Sequence, residues 1–131
     1  MTVEEAVVAR LLAVAAVTAL VADRISRHTR DQDPTALPAI TYEGAGLEEI
    51  VSLDGPTGAG RVSLQIDCWA ADGDGAEALA LAARDALQAS VGSGINAAFR
   101  KNKVGAEQDP EVQVWRVRST WNVHYSAAVA A

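Results

Sequence analysis

Cysteine is almost missing from this chain. Cys68 stands alone, so no internal disulfide can form and the fold does not need an oxidising compartment. Cys68 also falls on the inward phase of an alternating segment, where a lone thiol behaves as a small buried apolar residue rather than a nucleophile. Aromatics are scarce: three Trp, two Tyr and one Phe in 131 residues, against abundant alanine. That composition predicts a thin, close-packed core, which suits a two-layer sandwich better than a deep globule. Cations are outnumbered, with 11 Lys+Arg against 17 Asp+Glu and a net charge of −6. A protein that grips nucleic acid by its phosphates shows the opposite sign or a clear basic block. Only Arg100 to Lys103 (RKNK) approaches one, and by composition it reads as the solvated flank of a loop. No apolar run is long enough for a bilayer. Leu11 to Ala22 is the nearest, but it is too short, follows Arg10, and has Glu4 and Glu5 where a secretory signal carries positive charge. The expectation is no signal peptide and no membrane helix.

What is present fits one domain over residues 1–131, close to the modal domain size, and half of the residues are hydrophobic, which excludes wholesale disorder. Its organising stretch is Arg61 to Val91, a strand that runs into a helix. Val62, Leu64, Ile66 and Cys68 alternate with Arg61, Ser63, Gln65 and Asp67, a period of two that sends one set to a core and the other to a wetter face. Ala76, Leu79, Ala80, Ala83, Leu87 and Val91 then recur at helical spacing, a small-residue stripe suited to lying close on a sheet. Asp74 with Glu77 reads as a capping-box-like helix start, and Gly92 and Gly94 as its stop.

At the amino terminus, Thr2 followed by Glu5 is a second capping box. It opens a helix from Val3 to Val14 with Val7, Val8, Leu11, Leu12 and Ala15 inward. A short turn over Thr18 to Ala22 and a brief strand at Arg24 to Thr29 follow, and Asp31 to Pro38 is a loop. From Ala39 the chain is extended: Ile40 and Tyr42 alternate with Thr41 and Glu43, and LEEIVSLD leads to a turn at Asp54 to Gly58. A turn between two apolar runs predicts a long antiparallel hairpin whose second arm is the strand at Arg61 to Ala70. Gly44 and Gly46 imply a bend or bulge in the first arm.

Gly92 to Pro110 is polar and glycine-containing, with a short strand near Asn96 to Phe99. The closing strand, Val112 to Tyr125, places Trp115, Val117, Ser119, Trp121, Val123 and Tyr125 on one face. Val112 and Val114 fall on the opposite phase, so a bulge or two-sided burial is needed near Trp115. The fold class is α+β, with about four antiparallel strands packed by an N-terminal and a central helix.

The outer half of the hairpin stands out. Leu47, Ile50, Val51 and Leu53 are apolar on both strand phases, interleaved with Glu48, Glu49 and Asp54, and Gly55 and Pro56 complete the turn. A projection of this kind is hard to bury inside a small domain, so these nine residues form the candidate contact surface for a neighbouring molecule.

A search for catalytic chemistry gives little. Asp72 to Gly75 (DGDG) suggests a calcium loop, but Ala76 and Glu77 occupy the positions where an EF-hand needs a ligand and a glycine. Gly55, Gly58 and Gly60 do not make a phosphate loop, since no lysine follows and the context is a hairpin. His28 and His124 lack companions at metal-ligand spacing, and Glu48 and Glu49 point to opposite sides of a strand, a poor geometry for shared acid and base work. Trp69, Trp115 and Trp121 are the residue type that stacks ligands, yet packing explains them better. The chain reads as a non-enzyme with no metal and no cofactor.

The order of signals resembles a known family. An amphipathic amino-terminal helix, ALVADRI, a loop ending in LPAITYE, the turn LDGPTG, then RVSLQIDCWAAD, AEALALAARDALQ and a last strand WRVRSTWNVHYS are similar to the tail-completion, or tail-terminator, proteins of long-tailed bacteriophages and gene-transfer particles. The likeness runs from about Val7 to Tyr125 and is most specific in LDGPTG and VSLQIDCWA. It implies a virion structural protein that forms a ring, hexameric in such proteins, at the head-proximal end of the tail. Its implied partners are further copies of itself, the major tail tube protein and the head–tail connector proteins, with DNA passing through the lumen without specific binding. An acidic chain suits such a conduit, because like charges keep DNA off the wall. Two other readings are weighed: a connector or adaptor component of the neck, and a small cellular interaction module that forms no ring.

Overall fold

A computed structural model describes residues 2–28, 36–88, 95–109 and 113–126. Three helices and five strands follow in the order α1 (Val3–Ala13), α2 (Ala15–Val21), β1 (Ile25–Arg27), β2 (Ala39–Ser52), β3 (Gly55–Ala70), α3 (Gly73–Gln88), β4 (Ile95–Asp109) and β5 (Val114–Tyr125). The strands form one sheet in the order β1-β2-β3-β5-β4, with β1 parallel to β2 and the other pairs antiparallel. The class is α+β as expected, with one more strand than the sequence suggested.

Helix α1 begins with the capping box that the sequence predicts. Glu5 N–H donates to Thr2 Oγ1 at 3.1 Å, and Thr2 N–H donates to Glu5 Oε2 at 3.3 Å. Its buried stripe is Val3, Ala6, Val7 and Leu11, whereas Leu12 is 42% exposed and Ala15 is exposed. The expected inward placement of Leu12 and Ala15 therefore fails. Leu12, one position past the buried Leu11, turns to solvent within α1, and Val14 then leaves helical conformation (φ −100°, ψ 119°) and resets the helix phase, so that Ala15 is exposed and Val17 and Val21 become the inward residues of α2. A seven-residue helix thus replaces the predicted turn at Thr18 to Ala22.

Helix α3 buries the predicted small-residue stripe, Ala76, Leu79, Ala80, Ala83 and Leu87, together with Ala86. Side chains this small let the helix approach the sheet closely, and Arg10 of α1 ties the two helices by donating from Nε to Ala86 O at 3.1 Å. Its amino end differs from expectation. Asp72, not Asp74, is the cap: Asp72 Oδ1 accepts from Gly75 N–H at 2.5 Å, and Asp72 O accepts from Ala76 N–H at 3.1 Å. Glu77 does not close a capping box, because β4 supplies stronger donors. Its carboxylate accepts from Lys103 Nζ and, at 3.1 Å, from Ala106 N–H, and the Lys103 bond holds its pKa below the usual carboxylate value. The predicted stop at Gly92 and Gly94, and Val91, lie outside the described residues, as do Val112 and the tail from Ala127.

The helices cover one face of the sheet. Val62, Leu64, Ile66, Cys68 and Ala70 of β3 lie under them, beside Val117, Trp121, Val123 and Tyr125 of β5. Cys68 is 1% exposed, and burial pushes its thiol up to about 12, so it stays protonated and inert. Strands β3 and β5 pair without a break from Ala70↔Trp115 to Gly60↔Tyr125. Trp115, half-buried, packs against Gly73 at the start of α3, while Val114, on the other phase, is buried. Two-sided burial, not a bulge in β5, resolves the phase conflict.

The largest difference is β4. The segment read as a polar loop with a short strand at Asn96 to Phe99 is a strand of 15 residues. It hides from periodicity for two reasons. It is an edge strand, so among its described side chains only Ile95 and Ala98 are buried, and its register with β5 shifts at three places, which scrambles the alternation. Arg100 to Lys103 therefore sits on a sheet edge, not on a loop flank.

Gly60 marks where the hairpin leaves the sheet. A Cβ there would lie 2.4 Å from Glu48 O and 2.7 Å from Tyr125 Oη. Gly60→Ala should therefore cost about 2–3 kcal/mol by overpacking. Urea unfolding at equilibrium measures it, and a loss under about 0.5 kcal/mol, the range of ordinary surface substitutions, would show that backbone and tyrosine yield freely.

Candidate assembly surface

Strand β2 meets β1 only at Ile40 to Tyr42, and β5 follows β3 only as far as Gly60. Beyond these points the β2–β3 ribbon continues alone, with Gly55 and Pro56 paired to Ser52 and Val51 of β2 and a register shift between that pairing and Glu49↔Gly60. At about 3.3 Å per residue the overhang beyond Gly60 is roughly 16 Å. The register shifts between Gly44 and Gly46, the glycines that the sequence marked, and again between Glu49 and Val51, where it marked nothing.

Of the nine residues singled out in the sequence, Ile50 and Val51 on β2, Leu53 and Asp54 in the turn, and Gly55 and Pro56 at the start of β3 lie on the overhang, while Leu47, Glu48 and Glu49 form its base on β2, opposite Val62, Arg61 and Gly60. Leu47 is 54% exposed, Ile50 56%, Val51 65% and Leu53 107%, the last more open than in a reference extended chain. Little burial holds the arm, so hydrogen bonds shape it. Ser52 Oγ donates to Gly55 O at 3.1 Å and accepts from Asp54 N–H, while Thr57 Oγ1 donates to Ile50 O at 2.8 Å and accepts from Ala59 N–H. Gly55, at φ 114°, and Gly58, at φ 76°, take the left-handed backbone that closes the ribbon. Glu48 pairs with Arg61 across the two strands at 2.5 Å.

A second surface escaped the sequence reading. The sheet face away from the helices was expected simply to be wet, but the structure links its polar side chains to one another. Arg118 donates from Nε to Asp67 Oδ1 at 3.0 Å, and this bond raises the Arg118 pKa further, so the guanidinium stays charged. Trp69 Nε1 donates to Thr41 Oγ1 at 3.0 Å, and the Arg116 guanidinium lies 5.5 Å from the centre of the Trp69 ring. Gln65 bonds Glu43, Ser63 bonds Asn122, and Phe99 meets His124 edge-on. The missed signal was register: Thr41↔Asp67↔Arg118 and Trp69↔Arg116 are cross-strand neighbours, a relation that single-strand alternation does not reveal.

His28 and His124 lie on different strand surroundings, His28 beside Glu43 at 3.5 Å and His124 against Phe99. Among the described residues no three His, Cys, Asp or Glu side chains are grouped to hold a metal ion. A cleft of about 310 Å³ opens between the start of α1 and Arg27, Tyr42 and Val62, where Glu4 and Arg27 pair with each other at 3.3 Å. No described helix is long and apolar enough to cross a membrane.

Three comparisons bear on these surfaces. No sequence among the curated proteins matches the chain. A chain in the virion of a native gene transfer agent (GTA) particle has the same fold, with a TM-score of 0.76 at 18% identity and 95% of each chain covered. The family described as "Tail completion protein gp17" matches residues 5–125, nearly the whole chain. The match runs from α1 to the last strand, so the chain belongs to the tail-completion protein gp17 family and is by that membership a tail structural protein of the virion.

Proposed function

We propose that copies of this chain close into a ring, hexameric in the simplest case, that ends the tail tube at its head-proximal end and joins it to the head connector. Its partners are further copies of itself, the major tail tube protein and the connector proteins, and DNA passes through the lumen without specific binding. The supporting observation is the arm: four large exposed apolar side chains, Leu47 at the base and Ile50, Val51 and Leu53 on the unsupported ribbon, in a chain of the tail-completion family. A ring needs a heterologous contact, in which one patch meets a different patch on the next copy, and a projecting ribbon supplies one half of it.

Magnitudes support closure rather than a simple pair. Covering four half-exposed apolar side chains is worth on the order of 5 kcal/mol, while association costs about 4–15 kcal/mol in lost freedom. A single arm contact is therefore marginal, whereas a closed ring of n copies makes n contacts for n−1 losses of freedom, so the closing contact adds stability at no further associative cost. The net charge of −6, repeated around a ring, repels a passing DNA chain.

Native mass spectrometry with negative-stain imaging of the purified chain, alone and with assembled tail tube, tests the proposal. A discrete ring with a central hole is the expected result. Monomers or dimers under both conditions would overturn it and favour an interaction module that forms no ring.

A further inference from the structure

The proposed ring requires a second patch, and the surface of the molecule narrows the choice. Among the described residues, Arg100 and Lys101 are cationic side chains in no ion pair; Lys103 beside them is held by Glu77. They lie on β4, the sheet edge opposite the β1–β2 edge, and Lys101 is the residue left over at a register shift between Arg100↔Trp121 and Asn102↔Thr120. Flanking them, Phe99 is 59% exposed and Val104 39%. This edge therefore combines apolar area with positive charge that is in no direct ion pair, Arg100 acting on Glu77 only at longer range. The arm combines apolar area with negative charge: from Leu47 to Ala59 it carries Glu48, Glu49 and Asp54 and no cation, and Glu49 and Asp54 take part in no ion pair. The arm extends beyond the end of the sheet at Gly60↔Tyr125, while β4 begins alongside that end at Ile95↔Tyr125, so within one protomer the ribbon points away from its own β4.

Resting on the ring reading, we infer that the arm of one copy docks on the β4 edge of the next, with Glu49 and Asp54 facing Arg100 and Lys101 and with Leu53 and Val51 covering Phe99 and Val104. The occupant of the β4 edge is a second copy of this chain. The two patches match in charge and in apolar character, and they sit at opposite edges of one sheet, the arrangement that a head-to-tail contact needs. Lysine and a bulge on an edge strand also discourage indiscriminate strand pairing, which leaves a contact specified by side chains.

Charge reversal tests the pairing on the full chain. Glu49→Lys alone and Lys101→Glu alone should each raise the concentration at half-dissociation of the ring roughly tenfold or more, since each sets like charges against each other. Two rescues are specific to a contact between two different patches. The double variant in one chain should restore the ring, and so should mixing the two single variants, which would assemble as alternating copies. Raising the salt concentration should loosen the wild-type ring. Asp54→Lys with Arg100→Glu provides an independent pair, and circular dichroism checks that each variant folds. Single variants that assemble normally, or reversals that neither rescue restores, would overturn the pairing while leaving the ring reading intact. A wild-type chain that forms no ring would overturn both.

Discussion

Val51→Asp together with Leu53→Asp should abolish assembly and leave a folded monomer. Val51 is 65% exposed and Leu53 107%, and neither packs on the core formed by α1, α2, α3 and the covered sheet face. Substitutions at exposed positions of this kind shift folding stability by about 0.5 kcal/mol or less. The ribbon around them is held by hydrogen bonds from Ser52 Oγ to Gly55 O and from Thr57 Oγ1 to Ile50 O, which the change does not touch. In an interface the same change places two carboxylates where apolar surface is meant to exclude water, and a buried group without a partner costs several kcal/mol. Loss of at least about 4 kcal/mol per contact, roughly a thousandfold in affinity, follows. Light scattering and thermal unfolding on the same sample measure both quantities. Global unfolding of the double variant would show that the arm belongs to the core, and normal assembly would remove it from the interface.

Trp121→Ala should produce the largest loss of stability from any single change, about 3–5 kcal/mol. Trp121 is the bulkiest fully buried side chain, 2% exposed, on β5 opposite Leu64 of β3. The thin core has few other aromatics with which to fill the space. Its indole also joins a small polar relay: Nε1 donates to Ser119 Oγ at 3.0 Å, and Ser119 Oγ donates to Ile66 O at 3.3 Å. Ser119→Ala should therefore cost about 1–3 kcal/mol, because it leaves a buried indole N–H without an acceptor. Trp121→Phe in the Ser119→Ala background should recover part of that loss by removing the donor as well. Urea unfolding of the four proteins forms a cycle, and simple additivity would show that the relay contributes nothing.

Much of this molecule was legible before any coordinates. The capping box at Thr2 and Glu5, the alternation of β3, the small-residue stripe of α3 and the inward face of β5 all follow from local rules, and each appears where the sequence placed it. So does the long hairpin, because a glycine-rich turn between two apolar runs admits few other solutions. The errors share one cause. Val14 breaks the first helix with no local stop signal in the sequence, Glu77 is drawn to Lys103 and Ala106 while Asp72 rather than Asp74 caps the helix, and β4 is a strand because β5 offers it a ladder.

Residues and their spacing thus determined the elements of this protein, the phase of its main strands and the greasy, acidic character of one ribbon. Only the tertiary structure decided that the ribbon outruns its neighbours, that a basic stretch forms the far edge of the sheet, and that Asp67 meets Arg118. Helix caps and alternation depend on residues a few positions apart, whereas an edge, an overhang and a cross-strand pair depend on which distant segments lie side by side, and that is settled by packing over the whole chain.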